Sequence, residues 1–188
     1  MKRKKFIAAS LLALVFPFAT FANAVKKLFR NDKGFKVNAG EDRFAKSISL
    51  FEGDTFFTKV SAQDTDGDMY MFESTRVKKG GPPLHYHYEQ DEYWYILEGE
   101  FLFKVGEETF TAKKGDTVFG PRMVPHAFSK TSEAVARLLM AFQPAGKMEA
   151  HFKAVSEGVY NGLSDKEKHI IRQQHGFEVT GPALVYEK

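Results

Sequence analysis

Three imidazoles and one carboxylate stand at a spacing that suits a single metal ion. His85 and His87 flank Tyr86. In an extended strand successive side chains alternate between faces, so both rings leave the same side. Turn-like residues follow, and Glu92 then opens the run EYWYILEGE, rich in aromatic and β-branched side chains. A hairpin of that shape returns Glu92 to the two histidines, although Glu89 and Asp91 are near enough to replace it if the turn differs. His126 follows in GDTVFGPRMVPHAF. Imidazole nitrogens with one carboxylate oxygen suit a borderline divalent ion (iron, manganese, nickel, copper or zinc) and leave coordination positions for water or substrate. A lone strand histidine more often only satisfies a hydrogen bond, and the scattered His151, His169 and His175 take that bland reading. Grouped donors of this kind do not.

The elements that must position these donors read as strands. Residues 44–145 are built of short alternating runs punctuated by Gly, Pro and Asp, among them TFFTKVSA, MYMFESTRV, EYWYILEG, EFLFKVG and VARLLMAFQP. A repeat of roughly 8–12 residues is the pattern of an all-β sandwich or barrel. Phe101, Phe103 and Val105 share one face of their strand, and alternation from Glu92 sends Trp94 and Ile96 inward. Trp94, Phe103 and Phe128, with Phe101 or Leu102, are candidates for an aromatic pocket with one polar metal end, the usual site for a small organic ligand. Simple filling of a small barrel would also use such rings. In DTDGD at 64–68 the glycine stands fourth, where a calcium loop needs it sixth, so a hairpin turn on Asp66-Gly67 is expected. Ser164 with Glu167 forms a capping box, and Gly176 offers a stop, predicting a helix over 164–175 outside the barrel. A turn at Gly181-Pro182 and a short tail follow. No internal repeat is visible, so one barrel is expected. The divisions are a lead-in segment 25–43, a barrel 44–155 and a helical extension 156–188.

The amino terminus reads as an export signal. Lys2, Arg3, Lys4 and Lys5 precede the apolar run IAASLLALVFPFATFA, and Ala22-Asn23-Ala24 is a small-x-small cleavage triplet, which makes 1–24 a removable signal peptide. The competing reading is a retained anchor, since Phe6–Val25 carries no charge and is just long enough to span a bilayer. Pro17, Ser10, Thr20 and Asn23 speak against it. Cleavage changes the charge argument. The whole chain has 27 bases and 24 acids; losing four bases leaves 23 against 24, a net of −1. The apparent basicity belongs to the signal, so a nucleic-acid-binding surface is not expected. The chain has no cysteine, which removes disulfides and thiol chemistry; its 19 phenylalanines point to a core of packed rings.

The donor spacing resembles that of the cupin superfamily, whose first motif is G-x5-H-x-H-x3–4-E-x6-G. His85, His87, Glu92 and Gly99 match it, while Gly80 and Gly81 stand slightly closer to His85 than the pattern asks. Of the second motif, G-x5-P-x-G-x2-H-x3-N, Gly115, Pro121 and His126 match; Met123 replaces the second glycine and Lys130 the asparagine. The likeness covers about residues 48–145 and selects Glu92 as the carboxylate ligand. It implies a double-stranded β-helix (jelly-roll) barrel with one divalent transition metal on His85, His87, Glu92 and His126. It also implies pairing of two copies by barrel edges.

Three functions compete on this reading. A likeness to quercetin dioxygenase-like cupins implies an oxidoreductase in which a phenolic or enolisable substrate and dioxygen meet, with Glu92 as catalytic base. A metal-dependent isomerase or lyase of a sugar or keto acid would need charged groups for an anion, and of Arg76, Arg122 and Arg137 none is clearly inward. A non-enzymatic metal- or ligand-binding module would use the same four residues. The oxidoreductase, exported to the periplasm or beyond, is the reading carried forward.

Overall fold

The structure is a computed structural model that describes residues 33–50 and 53–185; the expected signal peptide lies outside them. Eleven strands are formed among the described residues: β1 (Ile48–Leu50), β2 (Asp54–Val60), β3 (Tyr70–Arg76), β4 (Pro83–His87), β5 (Asp91–Glu98), β6 (Glu100–Val105), β7 (Glu108–Lys113), β8 (Thr117–Gly120), β9 (His126–Lys130), β10 (Ala136–Gln143) and β11 (Phe177–Ala183). Two helices, α1 (Met148–Ser156) and α2 (Asp165–Gln174), lie between β10 and β11. The strands make two antiparallel sheets, ordered β1-β2-β3-β10-β5-β8 and β11-β4-β9-β6-β7. Consecutive strands often fall in different sheets, the crossing pattern of a jelly roll.

Alternation decides which side chains fill the space between the sheets. Glu92, Trp94 and Ile96 on β5 are buried, as are Phe101 and Phe103 on β6, Phe128 on β9, and Leu138, Met140 and Phe142 on β10. Phe56, Tyr70, Phe72, Phe142 and the α1 residue Phe152 pack ring against ring, with centroids 4.5–6.5 Å apart. Truncating one such buried ring to alanine typically costs about 3–5 kcal/mol. Gly99 alone joins β5 to β6, at φ 84; a Cβ there would stand 2.5 Å from that of Ala136. Only glycine allows both the left-handed turn and that approach.

Several local expectations are refined. The turn at Asp66-Gly67 forms, both residues at positive φ, but a 3-10 helix over Ala62–Thr65 precedes it, capped by Ser61. The chain therefore makes a longer corner than a simple hairpin between β2 and β3. Glu149 of α1 accepts from Ser61 Oγ (2.9 Å) and Ala62 N (2.8 Å), tying the helix to that corner. The 164–175 helix is present as α2, with both halves of its capping box. The residues after Gly176 are not a tail: β11 pairs with β4, setting Phe177 opposite His87 and Val179 opposite His85. Pro182 is tolerated because β11 is an edge strand, where no further neighbour needs its missing N–H.

Candidate metal centre

His85 and His87 leave β4 on the same face, as the spacing required. His126, at the start of β9, pairs directly with His85 in the ladder. Glu92 comes from the other sheet, on β5. Ligand atoms from the four side chains all lie within 4.8 Å of one another. Glu92 Oε2 is 3.1 Å from His87 Nε2, 3.1 Å from His126 Nε2 and 4.0 Å from His85 Nε2. An ion that holds N and O donors at about 2.0–2.2 Å could bridge this cluster with a few tenths of an ångström of adjustment. The neighbouring acids are placed elsewhere: Glu89 is exposed, and Asp91 accepts a bidentate pair from Arg122 (3.1 and 2.7 Å).

Two of the three imidazoles have their orientation fixed from behind. Nδ1 of His85 faces the Pro83 carbonyl at 2.8 Å, and Nδ1 of His126 faces that of Val124 at 3.0 Å. An Nδ1–H donated to a carbonyl leaves the Nε2 lone pair turned inward, the arrangement found behind metal-ligating histidines. His87 is fully buried and its Nδ1 has no partner. Burial, then the neighbouring His126 and His87, push His85 down to about 3, so it stays neutral over the physiological range. Burial alone would raise Glu92, but the adjoining His126 and His87 side chains outweigh it and hold the carboxyl at about 2. A neutral His85 and an ionised Glu92 are donor states of the kind a divalent ion requires. The residues fit the ion.

Around this cluster the packing is aromatic. Trp94 meets His126 at 5.3 Å, Phe103 at 5.4 Å and Phe128 at 6.3 Å between ring centroids; Phe103 and Phe128 lie 5.6 Å apart. All three are at most 2% exposed and belong to the continuous core. On the opposite side Phe177 of β11 lies 5.9 Å from His85 and 5.8 Å from His87. The sequence reading left Phe177 out, although the alternation in FEVT was its available sign. His151, read as a hydrogen-bonding histidine, is one: it is buried on α1, its Nδ1 shares a hydrogen bond with Tyr160 Oη at 3.0 Å, and it packs on Phe177 at 4.7 Å. Arg76 corrects an expectation. It is 6% exposed, turned inward, and paired with Asp54 at 2.8 Å, whereas Arg122 and Arg137 make pairs nearer the surface.

A two-sheet jelly roll that gathers three histidines and a glutamate in its interior defines a β-barrel with a candidate metal site. Residues 72–142 match the cupin domain family. An uncharacterized protein of Methanocaldococcus jannaschii is 38% identical over 61 residues, which are 32% of this chain and 49% of that protein. The match thus spans about half the length of that relative. Among solved structures, KdgF from a Halomonas species is similar at a TM-score of 0.51 and 17% identity, over 60% of this chain and 94% of its own. An RmlC-like cupin from Shewanella frigidimarina is similar at 0.50 and 19%, over 62% and 96%. These two likenesses concern the fold.

Proposed function

We propose that this chain is an exported, metal-dependent oxidoreductase, dioxygenase-like, acting on a small phenolic or enolisable organic substrate. The observation that carries the reading is the placement of Glu92: a carboxylate, 2% exposed, with one oxygen shared between two imidazoles. A divalent metal held by His85, His87, Glu92 and His126 would supply Lewis acidity toward a substrate oxygen and a redox partner for dioxygen. The chain's own residues do the rest. Glu92 Oε2 is the base that takes the substrate's hydroxyl or α-carbon proton. The backbone carbonyls of Pro83 and Val124 keep His85 and His126 turned toward the reacting atoms. Trp94, Phe103 and Phe128 exclude water on one side and present ring faces to an apolar substrate.

One observation favours a second reading, a binding module without turnover. His87 and His126 are fully buried, and Glu92 nearly so, as in a closed structural site. Metal analysis of the purified protein beside His126→Ala, followed by oxygen uptake with phenols and enolisable ketones, separates the two. Near-stoichiometric metal that is lost in the variant, with substrate-dependent oxygen uptake lost in Glu92→Gln, supports the enzyme. Stoichiometric metal without oxygen uptake on any of these substrates would leave the binding module. Export is tested by fractionation and amino-terminal sequencing, with Val25 expected as the first residue.

A further inference from the structure

A second polar group stands inside the barrel, and its ion pair accounts for only part of its donors. Arg76 closes β3 with its side chain inward. Its Nη1 donates to Asp54 Oδ2 at 2.8 Å, and its guanidinium lies 4.6 Å from the ring centre of Phe128 and 5.9 Å from that of Phe56. Its Nε has no acceptor. Ser74, two residues earlier and therefore on the same face of β3, is fully buried with an Oγ that has no partner. Trp94 packs on both Phe128 and His126, and its Nε1 also lacks an acceptor.

Arginine and indole N–H groups can only donate, and the serine hydroxyl can donate as well. A buried donor left unpaired is costly, so Arg76 and Trp94, both packed on Phe128, and Ser74, beside Arg76 on β3, call for acceptor oxygens. Charge points the same way. Among the buried charged groups Arg76 and Lys130 balance Asp54 and Glu92, while the remaining buried carboxylate, Glu73, is answered by Lys59 and Arg137. Lys130 Nζ is already committed to the carbonyls of Val77, Ser132 and Glu133. A divalent ion on the four donors would add two positive charges with no further anion to answer them. Arg76 is the cation with a donor to spare, and the wall it stacks on, Phe128 and then Trp94, leads to His126.

We propose that Arg76, with Ser74 and Trp94, anchors the carboxylate of an enolisable 2-oxo acid whose reactive end faces Glu92. The proposal rests on the enzymatic reading of the metal centre and narrows its substrate to small carboxylic acids. A carboxylate suits this anchor because it offers a guanidinium two acceptor oxygens together with charge.

Trp94 is the only tryptophan in the chain, so its fluorescence reports directly on occupancy of the anchor. The full-length protein, metal-loaded and metal-free, is titrated with pyruvate and with acetone, which lacks the carboxylate, and calorimetry is run in parallel. Saturable binding of pyruvate but not acetone is expected, weakened roughly tenfold or more in Arg76→Gln and less in Ser74→Ala, with metal content unchanged. Because Arg76→Gln strands Asp54, the double variant Arg76→Gln with Asp54→Asn keeps the interior neutral and provides a second test. Equal affinity for pyruvate in wild type and variants, or equal affinity for pyruvate and acetone, overturns the anchor. Pyruvate that binds through Arg76 but is never turned over, with no oxygen uptake on any substrate, overturns the oxidoreductase reading and upholds the anchor. Oxygen uptake with uncharged phenols in a protein that ignores pyruvate does the reverse.

Discussion

Gly120 stands where any side chain would meet Trp94: a Cβ built there lies 2.8 Å from Cη2 of the indole, and 3.1 Å from Nδ1 of His126. Gly120 is also the ladder partner of Glu92. Its missing side chain therefore lets the indole lie against His126 of the candidate metal site. Gly120→Ala is expected to push the indole or the imidazole aside. Metal affinity should fall about 10–100-fold, the usual effect of disturbing residues behind the ligands. Stability should fall by about 1–3 kcal/mol. Metal titration and thermal melts check both, and unchanged affinity would show that Trp94 does not hold His126 in place.

Met123 occupies the position where the cupin pattern has a glycine, and it has φ 62. Its N–H still donates to the His87 carbonyl at 2.8 Å, and its side chain is 57% exposed, so little packing answers the strain. Met123→Gly should keep that hydrogen bond and relieve the left-handed backbone. A gain of about 0.5–1 kcal/mol remains after the entropy of the added glycine. Denaturant melts decide it; a loss of stability would mean the methionine side chain makes a contact of its own.

His151 predicts a specific acid sensitivity. Burial, then the proximity of His175, His87 and Arg172, lowers it from 6.5 to about 3. Between those values the unfolded chain binds a proton that the folded chain refuses. Its contribution is therefore lost as pH falls from about 6.5 toward 3, by at most a few kcal/mol. His151→Gln should flatten the stability profile by up to one proton across that window. Parallel wild-type and variant profiles would contradict the assignment.

Phe177 seals the histidine side of the metal centre, being 7% exposed and packed on His85, His87 and His151. Phe177→Ala should cost about 3–5 kcal/mol, and Phe177→Leu less. The alanine variant should also surrender metal to a chelator faster than wild type. Equal release rates would place the path of the ion away from β11.

The pairing of His85 and His87 on one face was legible in the sequence because their spacing is local and needs only a strand. The choice of Glu92 over Glu89 and Asp91, and the recruitment of the distant His126, came from the likeness to the cupin motifs, and alternation from Glu92 then sends Trp94 and Ile96 inward. What was not legible depends on distant partners or absent markers. β11 gains its strand identity from β4, some ninety residues earlier, and its Gly181-Pro182 pair argues locally for a turn. α1 has Lys147 at its N-cap, with no side-chain hydrogen bond to the first turn, so the usual start mark is missing. Arg76 occupies an inward position where alternation favours an apolar residue, and only its pairing with Asp54, 22 residues away, makes that burial tolerable.

The four ligands come from opposite walls: His85, His87 and His126 from one sheet, Glu92 from the other. An ion captured between them would rivet the walls together, so the barrel could open fully only by letting it go. Saturating metal a hundredfold above its dissociation constant would add about 2.7 kcal/mol to the free energy of unfolding. The durability of this protein would then follow the metal supply of its surroundings, and scarcity would cost it structure as well as chemistry.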